Sequence, residues 1–517
     1  MTTLNSKIRT RFAPSPTGFV HIGSLRTALF SFLYARHNGG VHILRIEDTD
    51  QNRSVEGSME NLLRMMKAMG VEFDEGYYLN DDGHVAERGD HGPYLQSKRL
   101  DLYQKYAAEL VVSGHAYYCF CDEARIDELR KEQIALKKPP MYDRLCRNLS
   151  SDAIAIKQKE FADSGTSPVI RQAIPLTGQT VVHDLIYGDI VYDHKVLDDQ
   201  VLLKSDGFPT YHLAVVVDDR TMEISHVIRG EEWIPSTPKH ILLYQAFGWE
   251  PTQFAHLPLI LNPDKSKLSK RQGDVSIEDF LKKGYLKEAL LNFVVFLGWN
   301  PKTEQEIFTL DELIEQFDVS KINNSGAVLD TNKLDWINGL YIRKLGVGEL
   351  TDLLVPHWEE AGYINVQGDA ITIAKLKKET DKKYLEAVTG LEQERLKKLS
   401  EIGERTAYFF NDIIVDPVLL VWKKSDAADA KIKLELLAET FDALSDDVVQ
   451  DKIKLEEALK GFIGSHGFDN GSVLWPLRVA LTGEKASPGP FEVASVLALG
   501  LGKEAVVERL KKAAASL

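Results

Sequence analysis

The chain has 517 residues, of which 44% are hydrophobic and 27% are charged. This composition is typical of a globular protein and excludes a disordered or fibrous chain, and at roughly 150 residues per domain the length predicts about three or four domains. The net charge of −15 excludes a uniformly basic nucleic-acid coat, although it permits a local basic surface.

The cellular compartment can be predicted from three further features. Three cysteines are too few, and odd in number, for a disulfide framework. The first residues, "MTTLNSKIRTRF", lack the apolar core of a signal peptide. The most apolar segment, residues 289–299, is too short to cross a membrane. We therefore expect a cytoplasmic protein without a membrane partner.

The first fifty residues predict a strand, a helix and a second strand. The segment "KIRTRFA" at 7–13 has strand character, and "VHILRIEDTD" at 41–50 is a strand that ends in acidic residues. Between them, apolar residues recur at the spacing of a helix: Leu25, Ala28, Leu29, Phe32 and Leu33. This βαβ unit implies a parallel sheet, whose ligands bind at the carboxyl ends of the strands.

The segment that joins this strand to the helix, "APSPTGFVHIGS" at 13–24, combines a rigid turn with a histidine and a glycine. In one interpretation it is an ordinary loop, with Ser24 as the helix N-cap. In the other, His21 and the backbone are shaped around a phosphate at the start of the helix. No P-loop and no GxGxxG motif is present to support nucleotide binding.

The middle of the chain changes character. Residues 115–212 contain all three cysteines, a polar helix and short strand-like runs, and we interpret them as an insertion between two halves of one sheet. After it, "TYHLAVVVDDR" at 210–220 predicts a buried strand and "HILLYQAFG" at 240–248 a helix. From about residue 275 helical patterns dominate.

A second candidate site is the basic segment "NPDKSKLSKRQG" at 262–273. It brings Lys265, Lys267, Lys270 and Arg271 within seven residues. The segment is either an exposed basic loop or a loop whose ammonium groups neutralise a triphosphate during reaction.

Together, "HIGS" and "KLSKR" resemble the HIGH and KMSKS signatures of class I aminoacyl-tRNA synthetases, with Ser24 in place of the last histidine. The flanking text resembles the glutamyl-tRNA synthetase family over most of residues 8–345. The segments that carry this resemblance are "RFAPSPTGFVHIGSLRTALF", "RIEDTD", "GPYLQSKRLDLYQKYAAEL", "LLKSDGFPTYHLAVVVDD", "VIRGEEWIPSTPKHILLYQAFGW" and "NPDKSKLSKRQG".

The resemblance implies an α/β fold: a class I synthetase Rossmann-like catalytic domain with an inserted acceptor-binding subdomain, followed by an all-α anticodon-binding domain. The expected segments are the first catalytic half (1–114), the acceptor-arm insertion (115–212), the second catalytic half (213–262), the KLSKR loop with a stem-contact region (263–345), and the helical anticodon-binding domain (346–517).

The activity that the resemblance implies is glutamate–tRNA ligase, with L-glutamate, ATP accompanied by Mg²⁺, and tRNA(Glu) as partners of a monomer. Two alternatives remain. A glutamyl-queuosine tRNA(Asp) synthetase shares the catalytic half but lacks the anticodon-binding domain. A non-catalytic tRNA-binding paralogue would retain the fold, although the intact His21, Lys267 and Lys270 argue against it.

The family's functional residues match positions of this chain. For catalysis these are His21, Lys267 and Lys270, and for ATP binding His21, Gly23 and Lys270. For glutamate binding they are Arg11, Ala13, Ser15, Glu47, Tyr211 and Arg229. Arg395 aligns with an anticodon-reading position and lies in residues 375–398, which hold eight Lys or Arg against five Asp or Glu.

Some members of the family bind zinc through cysteines of the insertion, and Cys119, Cys121 and Cys146 have a comparable spacing. The expected fourth ligand position is Asn148, whose neutral amide is a poor zinc ligand. Tyr142 or Asp143 would be substitutes, but small apolar packing of three thiols is the simpler interpretation. We therefore expect no metal site and no structural zinc.

Overall fold

The structure of the protein is a computed structural model that describes residues 7–50, 53, 55–268, 276–423 and 425–517. The described residues form two compact units. The first comprises the residues up to Phe280 together with 290–330, and the second comprises 281–289 and 331–517. The five expected segments are finer than this division, and their boundaries remain predictions.

The strands of the described residues are β1 (Arg9–Phe12), β2 (Val41–Leu44), β3 (Glu75–Leu79), β4 (Val85–Arg88), β5 (Ala116–Cys119), β6 (Val169–Gln172), β7 (Gln179–Asp184), β8 (Gly188–Asp193), β9 (Val201–Leu203), β10 (His226–Gly230), β11 (Gln253–Leu257), β12 (Ile260–Leu261), β13 (Ala327–Val328), β14 (Ile364–Gln367), β15 (Ala370–Ile373) and β16 (Lys378–Thr380).

The α-helices of the same residues are α1 (Ile22–His37), α2 (Ser58–Ala68), α3 (Leu100–Val112), α4 (Glu123–Ala135), α5 (Ser151–Asp163), α6 (Tyr211–Thr221), α7 (Thr237–Ala246), α8 (Ile277–Lys282), α9 (Lys287–Val295), α10 (Leu310–Gln316), α11 (Thr331–Lys344), α12 (Val347–Glu360), α13 (Lys382–Glu392), α14 (Ile402–Phe410), α15 (Pro417–Leu420), α16 (Ala427–Ala443), α17 (Asp446–Val449), α18 (Lys452–His466), α19 (Asn470–Thr482), α20 (Pro490–Leu501) and α21 (Lys503–Ala515).

The predicted βαβ unit is confirmed. Strands β1 and β2 pair in parallel from Arg9 opposite Val41 to Phe12 opposite Leu44, and α1 connects them. Every residue of β2 is buried, as a central parallel strand requires. The ring of Phe30 on α1 packs edge-on against Phe317 at 5.4 Å between centroids, which extends the core beyond the sheet.

The first unit is built on an eight-stranded sheet with the order β4-β3-β2-β1-β10-β11-β7-β8. Its central strands are parallel, and an antiparallel hairpin closes each edge. Because β1 lies between β2 and β10, the first strand of the chain joins the two halves of the sheet, as predicted for an interrupted catalytic domain.

The insertion predicted at 115–212 is divided between two sheets. Strands β5, β6 and β9 form a separate antiparallel sheet, whereas the β7–β8 hairpin pairs with β11 and extends the main sheet. The burial of β7 alternates along the strand, with Thr180, Val182 and Asp184 inward, so one face of the hairpin packs on the core.

The strand predicted at 210–220 is wrong, because these residues form helix α6. A continuous apolar run such as 213–217 suits a buried strand and a buried helix equally well. In a helix, Asp218 and Asp219 diverge by only about 100°, so both can lie near the buried Arg45, whereas in a strand they would point to opposite faces.

The prediction of an all-α C-terminal part is also wrong in one segment. Strands β14, β15 and β16 form a three-stranded antiparallel sheet within the second unit. A two-residue turn joins β14 to β15, and Gly368 occupies it with φ +61°, a conformation that favours glycine. The rest of this unit is helical, as predicted, around a core that includes Trp358, Tyr384, Phe409 and Phe410.

No helix among the described residues combines the length and the apolar character that a membrane-spanning segment requires.

The pairing of β2 with β3 predicts an intolerant glycine. A Cβ atom on Gly76, whose φ is +105°, would lie 2.0 Å from the carbonyl oxygen of Leu44. Gly83 in the β3–β4 turn has φ +79° but would meet nothing among the described residues within 4 Å. We expect Gly83→Ala to cost about 1–2 kcal/mol through φ strain. We expect Gly76→Ala to cost roughly 1–3 kcal/mol more through the backbone clash.

Urea-induced unfolding of the two variants and the wild type measures this difference. Equal losses of unfolding free energy for both variants would show that the β2–β3 pairing tolerates the additional methyl group.

Candidate active site

A cavity of about 920 Å³ opens at the carboxyl ends of β1, β2 and β10. This is the edge at which a parallel sheet binds its ligands. Nine of the residues predicted for catalysis or for ATP or glutamate binding line it: Arg11, Ala13, Ser15, His21, Gly23, Glu47, Tyr211, Arg229 and Lys267.

Two predicted site residues are not among those that line the cavity. Lys270 lies outside the described residues. Arg395 belongs to the second unit, where its guanidinium donates to the buried Glu392 carboxylate at 2.8 Å and its side chain is 34% exposed.

Backbone hydrogen bonds fix the turn between β1 and α1. The carbonyl of Pro14 accepts from the Glu47 amide at 3.0 Å, and the carbonyl of Pro16 accepts from the Val55 amide at 2.9 Å. The Ser58 hydroxyl also donates to Pro16, at 3.1 Å. The turn is therefore held by the residues that follow β2 and by the start of α2.

His21 is the N-cap of α1. Its Nδ1 accepts from the amides of Gly23 at 3.1 Å and Ser24 at 3.3 Å, so this nitrogen carries no proton. In the neutral ring the proton is then on Nε2, which lies 3.1 Å from the Ser24 hydroxyl. The expectation that Ser24 caps the helix is wrong, since the imidazole performs that role. A Cβ atom on Gly23 would lie 3.1 Å from the ring, so glycine permits this close approach.

A network of buried charges lies beneath the cavity. Arg45, fully buried at the end of β2, donates to Asp219 at 2.7 Å and to Glu47 at 2.9 Å, and its Nε lies 3.8 Å from Asp218. Arg11 of β1 donates to the same Asp219 oxygen at 3.1 Å. The two acids of α6 thus connect the first and second halves of the sheet.

The buried ion pairs determine the charge state and the position of two residues that line the cavity, Glu47 and Arg11. Burial raises the pKa of Glu47, and the cations of Arg45 and Arg11 oppose that rise. A carboxylate held in this way suits an ammonium ligand, which would add a further stabilising charge. Arg11, only 3% exposed, is fixed by Asp219 at a position that lines the cavity.

A second cation of the cavity, Arg229 at the end of β10, is fixed by three side chains. It donates to the Tyr211 hydroxyl at 2.9 Å, to the Thr237 hydroxyl at 2.9 Å and to His256 Nε2 at 3.1 Å. The ring of Tyr211 packs on that of Trp233 with 4.1 Å between centroids. Burial raises the pKa of Tyr211, so its hydroxyl remains neutral.

The basic segment contributes Lys267, which is exposed and lines the cavity. The Leu268 amide donates to the Ile260 carbonyl at 3.0 Å, which ties this part of the segment to β12. The lysine is therefore positioned by main-chain pairing, while its ammonium group faces solvent.

Sequence reasoning did not identify three residues at this site. Arg26 lines the cavity and donates from Nη1 to the Leu297 carbonyl at 3.0 Å, and burial lowers its pKa to about 10. Trp233 and Arg45 were present in the quoted segments but carried no motif of their own. Arg45 precedes Glu47 by two residues in the extended segment that follows β2, a spacing that places both side chains on one side of the chain, and this was the available signal.

The three cysteines converge. Their sulfur atoms all lie within 4.8 Å of one another, and Cys121 and Cys146 are 3.7 Å apart. The Tyr142 hydroxyl lies 3.3 Å from the sulfurs of both Cys119 and Cys121. A hydrogen bond with Cys146 lowers the pKa of the Cys119 thiol, to which Tyr142 also contributes, and the same hydrogen bond raises the pKa of Cys146.

These donors fit a tetrahedral zinc site, in which zinc–sulfur bonds of about 2.3 Å place sulfurs roughly 3.8 Å apart. Asn148, the expected fourth ligand position, is exposed, whereas the Tyr142 hydroxyl, named above as a substitute, lies beside two of the sulfurs. The four side chains would hold a structural ion that joins β5 to the segment at 142–146. That the protein carries no zinc remains a prediction, which metal analysis decides.

Comparison with known proteins shows which family the chain resembles. A profile of the catalytic domain of class I tRNA synthetases for E and Q matches residues 7–336, and one of an anticodon binding domain matches residues 349–514. The glutamate–tRNA ligase of Clostridioides difficile (strain 630) is 44% identical over 509 residues, which cover 97% of this chain and 98% of the relative.

Two further comparisons agree. The glutamate–tRNA ligase of Dehalococcoides mccartyi is 43% identical over 515 residues and 99% of both chains. The crystal structure of a glutamate tRNA ligase from Elizabethkingia meningosepticum, in complex with its amino acid, superposes with a TM-score of 0.85 at 33% identity, and the match covers 99% of this chain and 100% of that one.

The interrupted parallel sheet, with its cavity at the strand ends, is that of a class I aminoacyl-tRNA synthetase, as the sequence predicts. Identity that extends over both units narrows the class. The chain belongs to the glutamate–tRNA ligase family.

The charge network predicts a large effect of Asp219→Asn. Removal of this carboxylate leaves two buried arginines, Arg11 and Arg45, without their shared partner, which should cost about 3–5 kcal/mol. Asp50→Asn is the control, because its ion pair with Arg53 is exposed and should be worth less than about 1 kcal/mol. Urea-induced unfolding at neutral pH measures the loss of unfolding free energy in both variants. Similar losses would contradict the role of Asp219 as the shared buried partner of the two arginines.

The stability of the wild type should also depend on pH in a way that the stability of Asp219→Asn does not. Burial alone would raise the pKa of Asp219, but Arg11 and Arg45 lower it below its ordinary 3.8. The contribution of Asp219 to stability is thus complete above 3.8 and is lost as the pH falls through the folded-state value. The stability difference between wild type and Asp219→Asn should therefore shrink on acidification, and a difference that grows would show the opposite shift.

Proposed function

We propose that the protein activates L-glutamate with ATP and transfers it to the 3′ end of tRNA(Glu). The glutamate carboxylate attacks the α-phosphate and pyrophosphate leaves; a ribose hydroxyl of the tRNA then attacks the acyl carbon and AMP leaves. The observation that carries the proposal is the cavity, in which two fixed cations, Arg11 and Arg229, and one anion, Glu47, are complementary to the two carboxylates and the ammonium group of glutamate.

For the amino acid, we assign the ammonium group to Glu47 and the carboxylates to the guanidinium groups. Arginine is suited to this role because its planar fork can bind a carboxylate through two parallel hydrogen bonds. Ala13, Ser15 and Tyr211 complete the proposed glutamate site. The fixed partners of Arg11 and Arg229 support the assignment, since they reduce the reorganisation that binding would require.

For ATP, the proposed ligands are His21, Gly23 and Lys270, and Lys267 is a further proposed catalytic residue. Since Nδ1 of His21 accepts from the helix amides, its Nε2–H is the group that would donate a hydrogen bond to a phosphate oxygen. The lysines would neutralise charge on the phosphates as the α–β bond breaks. Mg²⁺ would be bound mainly by the phosphates and would stabilise the same developing charge.

For the tRNA, the proposed anticodon reader is the second unit, with Arg395 as a contact residue. The matched anticodon-binding profile and the basic residues at 375–398 support this assignment. Neutralised phosphates would make tRNA affinity fall with rising salt. We further propose that the protein acts as a monomer in the cytoplasm.

The test of the proposal is ATP–pyrophosphate exchange with glutamate, with and without tRNA, followed by charging of purified tRNA(Glu) and tRNA(Asp). We expect glutamate-dependent exchange and charging of tRNA(Glu). Attachment of glutamate to tRNA(Asp) alone would indicate the glutamyl-queuosine enzyme, and no exchange under either condition would indicate a non-catalytic tRNA-binding protein.

The glutamate site predicts a selective effect of Arg11→Leu. Loss of a charge-assisted contact with a glutamate carboxylate should raise the KM for glutamate by about 10- to 100-fold, and the KM for ATP should change little. Steady-state exchange kinetics with each substrate varied in turn measure the two values.

Arg9→Leu is the matched control. Arg9 lies on the same strand and pairs with Glu75 at 2.8 Å, but it is not among the residues described as lining the cavity. This variant should lose stability without a selective rise in the KM for glutamate. Equal increases in both KM values for Arg11→Leu would indicate a disturbed strand instead of a lost substrate contact.

A further inference from the structure

The orientation of Arg229 depends on a chain of buried side chains behind the cavity. Its Nε donates to Nε2 of His256 at 3.1 Å, and one terminal nitrogen donates to Thr237 at 2.9 Å. An imidazole nitrogen can accept this hydrogen bond only if it carries no proton. The position of the guanidinium therefore depends on which nitrogen of His256 is protonated.

A carboxylate on the opposite side of the ring decides that question. Nδ1 of His256 lies 2.6 Å from Oδ2 of Asp184, and both side chains are fully buried. Because a carboxylate can only accept, Nδ1 must carry the proton, and Nε2 is left as the acceptor for Arg229. Asp184 thus selects the tautomer that Arg229 requires.

Asp184 is itself fixed at the end of β7. Its Oδ1 accepts from the amides of Ile186 at 2.9 Å and Tyr187 at 3.0 Å, which form the turn of the β7–β8 hairpin. Its Oδ2 also accepts from the His256 amide at 3.1 Å. The β7–β8 hairpin is thereby connected to Arg229 of the cavity through the imidazole of His256.

The surroundings keep this imidazole neutral. It faces Asp184 from β7, Arg229 from β10 and Thr237 from α7, and the charge of Arg11 on β1 also acts on it. Burial lowers the pKa of His256 and the arginines reinforce this effect, while Asp184 opposes it.

We propose that Asp184 and His256 are positioning residues that orient Arg229 toward a carboxylate of bound glutamate. The assignment rests on the proposed function, in which Arg229 contacts that substrate. In this proposal Asp184 of β7 and His256 of β11 contribute to amino-acid selection by orienting Arg229, without contacting the substrate themselves.

The substitution Asp184→Asn tests this assignment with little change in size. An amide that keeps its oxygen toward the turn presents its NH₂ group to the ring, so Nδ1 must become the acceptor. The proton then moves to Nε2, where it faces Arg229. We expect the KM for glutamate to rise by about 10- to 100-fold in ATP–pyrophosphate exchange, with the KM for ATP little changed.

Asp189→Asn is the matched control. Asp189 lies in the same hairpin and makes an equally short contact, 2.6 Å, with Nδ1 of His183, but that pair is exposed and Asp189 is absent from the described lining of the cavity. Its KM for glutamate should equal that of the wild type. If Asp184→Asn unfolds at the same temperature as the wild type and retains the wild-type KM for glutamate, the assignment is overturned and the proposed function stands.

Nitrogen-15 NMR of histidine-labelled protein provides a second measurement, which is made on the wild type and does not need Asp184→Asn to fold. The ¹⁵N shifts of the wild type should show His256 protonated at Nδ1, with His256→Gln identifying the signal. A ring protonated at Nε2 would overturn the assignment. Absence of glutamate-dependent exchange in the wild type would instead overturn the proposed function, whatever tautomer is found.

Discussion

The catalytic unit depends on one fully buried cation, the guanidinium of Arg45. Its ion pairs with Glu47, Asp218 and Asp219 join the end of β2 to α6, and Arg45 and Asp219 are 174 residues apart in the chain. Without α6, Arg45 would keep only Glu47 as a partner, and loss of the partners of a buried charge costs several kcal/mol, so the second half of the sheet stabilises the first.

The same constraint prepares the cavity for a charged substrate. Asp219 accepts from Arg45 and from Arg11, so the residue that completes the buried network also orients a cation of the cavity. Arg229 is oriented by a separate set of buried partners, among them His256. Groups fixed before the substrate arrives need little reorganisation during the reaction, and this preorganisation is the main source of electrostatic catalysis.

The β7–β8 hairpin shows how an insertion becomes part of the domain that it interrupts. Without it, β11 would be an exposed parallel edge with unpaired main-chain groups, and such edges favour aggregation. Asp184 opposite Phe254 begins the pairing that covers this edge. The β5–β6–β9 sheet and the cysteine cluster are separate from the main sheet. The insertion therefore adds two strands to the eight-stranded sheet and also forms a three-stranded sheet of its own.

The sequence by itself determined the βαβ unit and the interruption of the sheet, because these depend on local periodicity. It also indicated nine residues of the cavity, but only through their resemblance to a known family, since they are distant from one another in the chain. Among the described residues of 346–517, the helical interpretation was wrong at residues 364–380, although the Gly-Asp turn at 368 was a readable hairpin signal.

Only the tertiary structure decided the conformation of α6, the place of the β7–β8 hairpin, the role of Tyr142 beside the cysteines and the imidazole of His21 as helix cap. In each case two local conformations or partners were compatible with the sequence. The choice depended on contacts between residues distant in the chain, as for Asp219 with Arg45, or on a side-chain orientation that spacing does not encode. Periodicity reports which face of an element is apolar, whereas the partner of a buried polar group is determined only when the whole unit packs.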